Sequence, residues 1–126
     1  SGIIGNLSNE TTISDFLKQL KLKMNTSCIR YTEPKKRKNI YKVAICGGSG
    51  SFLLKNAISA DADIFISSDF KYHEFFDAED KIVIADIGHY ESEQFTKELI
   101  FDMLKEKFPK FAVQLSNINT NPIKYI

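Results

Sequence analysis

Three short apolar runs constrain this chain more than any other feature. They are Val43-Ala44-Ile45-Cys46, residues 63–67 (DIFIS) and residues 81–86 (KIVIAD). Each is too short for a helix, and its core is apolar at consecutive positions instead of alternating. A strand with that pattern has both faces covered, as in a parallel sheet with helices on either side. Each run also ends in residues suited to sharp turns and polar chemistry. These are Gly47-Gly48-Ser49-Gly50-Ser51, Ser67-Ser68-Asp69 and Asp86-Ile87-Gly88-His89. Helix-forming segments alternate with the runs: residues 52–60, a helical turn over 70–76, and a long helix over 91–108. The expected fold is therefore α/β, a three-layer sandwich with a largely parallel or mixed sheet, with residues 1–126 as a single domain.

The rest of the chain is fitted around that centre. Thr12-Ile13-Ser14-Asp15 has the form of a capping box with Asp in place of Glu. Ile13, Phe16, Leu17, Leu20 and Met24 follow at helical spacing, so a helix is expected over about 12–24. Residues 27–32 and 40–46 read as strands, separated by EPKKRKN as a hairpin would separate them. Phe95, Leu99, Ile100, Met103, Leu104 and Phe108 form one stripe of the long helix and are expected in the core. Pro109 ends that helix, and residues 111–116 are expected to add a last strand. The opening SGIIGNLSNE is glycine- and polar-rich and begins abruptly. It lacks an initiator Met, so a processed, cloned or truncated start is expected.

Several function classes drop out on composition. Hydrophobic residues make up 43% of the 126, with ten Phe, which excludes intrinsic disorder. Seventeen Lys and Arg against sixteen Asp and Glu leave a net charge of +1, too little to recruit nucleic acid by its field. No apolar run approaches the roughly 20 residues of a membrane span, and no signal-peptide core opens the chain. Cys28 and Cys46 lack CxxC spacing and are expected as buried, reduced thiols of a cytoplasmic protein.

The chemistry-bearing residues cluster after the apolar runs, where open α/β sheets place their sites. His89 and Glu93 are four apart at a helix start, so both face one side and could share a divalent metal such as Zn, Mn, Fe or Co. The alternative stays open that Glu91 and Glu93 are ordinary first-turn acids and His89 a loop residue. Asp69 and His73, also four apart, could be ligands, an acid/base pair, or positioning groups. Gly48, Ser49 and Gly50 could turn backbone N–H groups toward an anionic substrate, or form a tight turn for packing. They match neither the P-loop nor the dinucleotide fingerprint. Pro34-Lys35-Lys36-Arg37-Lys38 reads as a solvated turn. Two histidines do not assemble a Ser-His-Asp or Cys-His arrangement, and nothing marks the Cys46 thiol as activated.

Taken in order, Val43 to Phe52, Ala62 to His73, Asp86-Ile87-Gly88-His89-Tyr90-Glu91-Ser92-Glu93 and Asn121-Pro122-Ile123 resemble the carboxy-terminal part of a known family. It is the Ngg-interacting-factor-three-like family, also called GTP cyclohydrolase I type 2 homologues. The likeness runs from about residue 2 to the end. It implies one half of a two-lobed fold built around two metal ions, and a homo-oligomer, a hexameric toroid in the complete protein. It assigns His89 and Glu93 as metal ligands and leaves the remaining ligands, a His-His pair and an Asp, to an amino-terminal half absent here. Ser67-Ser68-Asp69 departs from the family's usual Thr-Gly-Asp. The function expected is that of a dinuclear-metal, hydrolase-like protein acting on an unidentified small anionic substrate, a nucleotide among the candidates, with the isolated chain inactive. The alternative is a metal-binding regulatory or scaffold module without turnover. A metal-dependent reaction would favour the first; tight metal binding with no hydrolysis would favour the second.

Overall fold

The computed structural model describes residues 2–36 and 38–126. Among them, five strands form one mixed sheet: β1 (Ile3–Thr12), β2 (Arg30–Tyr31), β3 (Asn39–Ser49), β4 (Ile64–Ser68) and β5 (Val83–Asp86), in the spatial order β1-β3-β4-β5-β2. The three central strands are parallel. Val43 pairs with Ile64 and Ile64 with Val83; Ile45 pairs with Ile66 and Ile66 with Ala85. The two outer strands run antiparallel to their neighbours. Four helices complete the fold: α1 (Ile13–Lys23), α2 (Leu54–Ser59), α3 (His89–Glu93) and α4 (Thr96–Lys107), with 3-10 turns at Ser51–Leu53 and Tyr72–Ala78.

The unbroken apolar runs of β4 and β5 follow from having two covered faces; in the β3 run Ile45 is 43% exposed. Val43, Ile64, Ile66, Val83 and Ala85 turn to one side and pack with Ile13 and Leu17 of α1. Ala44, Phe65 and Ile84 turn to the other and pack with Leu54 and Ala57 of α2, joined by Phe70 and Ile82. Alternate side chains of a strand point to opposite faces, so both layers draw on the same few residues. The α1 start is as expected. The Asp15 N–H donates to Thr12 Oγ1 at 3.1 Å, and the Thr12 hydroxyl donates to Asp15 Oδ2 at 2.9 Å.

Elsewhere the structure corrects the sequence reading. The opening segment, to which the sequence assigns no strand, is β1, hydrogen-bonded along one edge to β3 with an irregularity between Asn6 and Thr11. Residues 27–32 and 40–46 do not form a hairpin. Only Arg30–Tyr31 is strand, and it pairs with β5 on the opposite edge of the sheet. Pairing with β5 lets Arg30 reach Asp86, an attraction no turn rule reveals. The long helix is two helices, broken at Gln94 and Phe95, and residues 111–116 form no strand. Its apolar stripe is not core: α4 contains no buried residue, and Leu99 and Met103 are 61% and 60% exposed. Cys28 is exposed; Cys46 is the buried thiol. Of the basic run, Lys36 is solvent-facing, Lys35 N–H donates to Asp80 at 2.7 Å, and Arg37 lies outside the described residues. No helix of the described residues is long and apolar enough to cross a membrane.

Candidate functional site

Because β4 and β5 are parallel neighbours, the residues that leave their carboxyl ends emerge side by side. Ser67 pairs with Asp86, which fixes the level at which the two chains leave the sheet. Asp69 follows β4 in a left-handed conformation (φ +60°), and His89 opens α3 just beyond β5. Asp with positive φ is tolerated better than most residues, since its short polar side chain can bond locally. Here that turn delivers Asp69 Oδ2 to 2.5 Å from His89 Nδ1.

The pairing decides what the imidazole can do. A carboxylate only accepts, so Nδ1 carries the hydrogen and donates it to Asp69. Nε2 is then the free nitrogen, and it faces Glu93 Oε2 at 3.4 Å, one helical turn along α3. The hydrogen bond to Asp69 is the main reason His89 titrates above its ordinary 6.5. The negative charges of Asp69 and Glu93 add to it, and partial burial opposes it. Both carboxylates and the ring remain about half exposed, so the pair is open to a ligand.

Gly48 closes one side of this pair. Its φ is +66°, and a Cβ there would lie 2.6 Å from Glu93 Oε1 and 3.5 Å from His89 Cε1. Its N–H donates to Ser92 Oγ at 2.8 Å, while the Ser92 hydroxyl donates to the His89 carbonyl at 2.8 Å. Gly48 therefore belongs to the wall of the site through its missing side chain. Its N–H is spent on Ser92 and does not face an anion. Moreover, Gly47, Gly48 and Ser49 continue β3 and are not a loop. Gly50 faces inward, where a Cβ would meet Ser67 Oγ at 2.3 Å and Cys46 at 2.9 Å, so its role is packing. Ser49 is exposed and paired in register with Ser68.

Behind the pair lies a support layer that spacing alone does not reveal. Asp86, only 4% exposed, accepts the N–H of Phe70 at 3.0 Å and that of Gly88 at 3.1 Å, and it pairs with Arg30. Arg30 Nη2 also donates to the Phe70 carbonyl at 3.0 Å, and its guanidinium lies over Phe75, 5.3 Å from the ring centroid. One buried carboxylate thus fixes the residue after Asp69 and the residue before His89. Glu91 is buried as well and is no ordinary first-turn acid. Asn121 Nδ2 donates to its Oε1 at 3.3 Å, and its other oxygen lies where Gly88 (φ +93°) has no Cβ. Desolvation, then the Glu91 charge, pushes the Tyr125 hydroxyl above its usual pKa.

Asp69 and His73 do not pair: Asp69 is turned to His89, and His73 is exposed on its 3-10 turn. His73 therefore joins no acid/base couple with Asp69. Ser68 Oγ, at the residue where the sequence lacks the expected glycine, is buried with no hydrogen-bond partner among the described residues. His89 Nε2 and the Glu93 carboxylate are a donor pair suited to a borderline divalent metal, and the Asp69 bond to Nδ1 orients the ring as metal-binding histidines usually require. Among the described residues no group of three or more His, Cys, Asp or Glu is placed to hold an ion. Two donors fit a metal only as part of a larger ligand set.

Comparison with known proteins supplies the wider frame. Residues 1–122 match the family model described as Duf34/NIF3 (NGG1p interacting factor 3). The chain is 34% identical over 130 residues to a Staphylococcus aureus protein named GTP cyclohydrolase 1 type 2 homolog, covering 99% of this chain and 35% of the relative. It is 37% identical over 129 residues to the Staphylococcus epidermidis protein of the same name, covering 98% and 35%. The crystal structure of Staphylococcus aureus protein SA1388 superposes with a TM-score of 0.84 at 30% identity, over 99% of this chain and 42% of that one. The chain spans about a third of the length of the curated relatives it matches.

Proposed function

The chain belongs to the Duf34/NIF3 (NGG1p interacting factor 3) family, and on that premise we propose that His89 and Glu93 are its share of a divalent-metal site in a longer, hydrolase-like protein. The observation that carries this reading is the divided use of one imidazole. Nδ1 is held by Asp69 at 2.5 Å, which leaves Nε2 facing Glu93 at 3.4 Å. Asp69 is a positioning residue in this scheme, Gly48 shapes the wall, and Asp86 holds both strand exits in place. Two divalent ions, bound in the complete protein, would polarise an anionic substrate and lower the pKa of water. Since even open catalytic zinc sites usually keep three protein ligands, two donors leave this chain without turnover by itself. The guanine nucleotide in the relatives' name is not carried over, because the metal donors do not select a base.

The second reading is a metal-binding scaffold without turnover, and the uncovered apolar face of α4 favours it. A calorimetric titration of the chain with Zn²⁺ and Mn²⁺, beside His89→Ala and Glu93→Ala, tests the metal reading. Saturable binding that is lost in the first variant and weakened in the second is expected. Binding that survives His89→Ala unchanged refutes it; where the chain alone binds nothing, the same comparison is made in the longer protein, and metal binding there that survives the substitution refutes it. If metal does bind, complete family members that then hydrolyse nothing across phosphate and cyclic substrates would favour the scaffold.

A further inference from the structure

The helix that carries His89 and Glu93 cannot fix its own orientation. α3 is five residues long, and its N-cap, Gly88, makes no side-chain capping bond. Two residues are roughly 200° of helical turn, so position 91 lies on the side opposite positions 89 and 93. His89 and Glu93 accordingly stay half exposed while Glu91 is buried, at 6% exposure. Whatever grips Glu91 therefore sets the tilt of the two metal donors.

The grip comes from the far end of the chain. Among the described residues the one hydrogen-bond donor to the Glu91 carboxylate is Asn121 Nδ2, 3.3 Å from Oε1. The amide of Asn121 is oriented for this contact. Its Oδ1 accepts the Ile123 N–H at 3.1 Å across Pro122, which turns the nitrogen end toward Glu91. The Asn121 N–H in turn donates to Asn119 Oδ1 at 2.8 Å. Tyr125 closes the other side: a Cβ on Gly88 would lie 2.2 Å from Glu91 Oε2 and 3.3 Å from the Tyr125 hydroxyl, so tail, N-cap and carboxylate are packed together. Asp at position 121 would keep the turn at Ile123 but set one carboxylate against another. A buried carboxylate without its donor is costly, and swinging the first turn of α3 toward water relieves that cost while drawing His89 away from Asp69.

We infer that the tail over residues 119–125 clamps the metal-ligand helix, with Asn121 as the positioning residue, so that tail docking and metal affinity at His89 and Glu93 are coupled. The coupling rests on the metal reading above; the clamp does not.

Amide hydrogen exchange followed by NMR tests the clamp without metal. The Ser92 N–H, bonded to the Gly88 carbonyl at 3.1 Å, and the Gln94 N–H, bonded to the Tyr90 carbonyl at 2.8 Å, report on α3, and the Val83 N–H, bonded to the Asp63 carbonyl at 2.9 Å, reports on the sheet. For Asn121→Asp we expect exchange at Ser92 and Gln94 to rise ~10-fold or more relative to Val83, as for the loss of a hydrogen bond to a charged group. Adding Glu91→Gln exchanges amide and carboxylate across the pair and should restore the parent pattern, which a general loss of stability would not allow. Zn²⁺ titration of the same variants, made in the longer protein where the chain alone binds nothing, should show affinity ~10-fold weaker for Asn121→Asp and recovered in the double variant. Exchange at Ser92 and Gln94 that tracks Val83 throughout, or a double variant no better than Asn121→Asp, overturns the clamp. Zn²⁺ affinity that is lost in His89→Ala yet unmoved by Asn121→Asp overturns the coupling. Zn²⁺ binding that ignores His89→Ala refutes the metal reading and the coupling together, and the exchange result then decides the clamp.

Discussion

Replacing Asp86 by Ala removes the acceptor that two backbone segments share. The Phe70 N–H, bonded to Asp86 Oδ2 at 3.0 Å, is buried and loses its acceptor. The Gly88 N–H, at 3.1 Å from Oδ1, is partly buried. Leaving a buried donor unsatisfied costs about 1–3 kcal/mol, so the two together come to ~3 kcal/mol. The Arg30 side chain is 56% exposed and can rehydrate, so its lost ion pair adds little. For a chain of this length ~3 kcal/mol corresponds to a fall of ~12 °C in Tm. Urea unfolding followed by circular dichroism reads the loss directly. Asp86→Asn keeps one acceptor oxygen and should lose about half as much. The loss should reach the site as well: with the residues flanking Asp69 and His89 untied, the His89 titration midpoint should drift back toward 6.5. A loss below ~1 kcal/mol in Asp86→Ala, with the midpoint unmoved, would refute the view that this carboxylate holds the two strand exits.

Three further outcomes are expected. The raised pKa of His89 means that its bond to Asp69 stabilises the fold fully below the unfolded value near 6.5 and that this contribution fades as pH climbs through the higher folded value. Metal affinity should run the opposite way, rising over that interval as Nε2 loses its proton, and Asp69→Asn should shift an NMR titration of the ring downward. Gly48→Ala should cost about 1 kcal/mol for its φ of +66° and, by driving Glu93 Oε1 from the 2.6 Å contact, should weaken Zn²⁺ binding. A variant that binds metal like the parent would show that Gly48 does not shape the site. Ser68→Ala removes a buried hydroxyl that has no hydrogen-bond partner among the described residues and should raise stability by about 1 kcal/mol in urea unfolding; destabilisation would refute that reading of the hydroxyl.

What could be read in the sequence was whatever leaves a periodic or unbroken pattern. The three central strands were legible because burial on both faces demands apolar residues in succession. The α1 cap at Thr12 and Asp15 was legible because capping needs those side chains at that spacing. β1 was not: an edge strand with open faces carries IIGNLSNETT, a composition indistinguishable from a loop. β2 was misplaced because its partner, β5, lies more than fifty residues away, and the link is an Arg30–Asp86 attraction no local rule encodes. Periodicity identified the apolar face of α4 but assigned it to the core, whereas the structure leaves it exposed. The spacing of His89 and Glu93 puts them on one side of a helix, and the structure places His89 Nε2 3.4 Å from Glu93 Oε2. Asp69 was visible, and orienting a metal ligand was among the roles its spacing left open; that spacing points to His73, four residues on, whereas the sheet delivers His89. Glu91 carries an ordinary first-turn reading that only its burial overturns, and the tie Asp86 makes between two strand exits has no sequence signature.

The strand order also dictates when parts of this chain can settle as it leaves the ribosome. β1 can zip onto β3 once residue 49 has emerged. Arg30 and Tyr31 must wait for residues 85 and 86, so the first edge residues after α1 stay loose until most of the chain exists. Closure of that far edge draws Arg30 to the same carboxylate that fixes the exits of β4 and β5. The pair at Asp69 and His89 therefore cannot assemble before β5, the last strand in the chain, has joined the sheet.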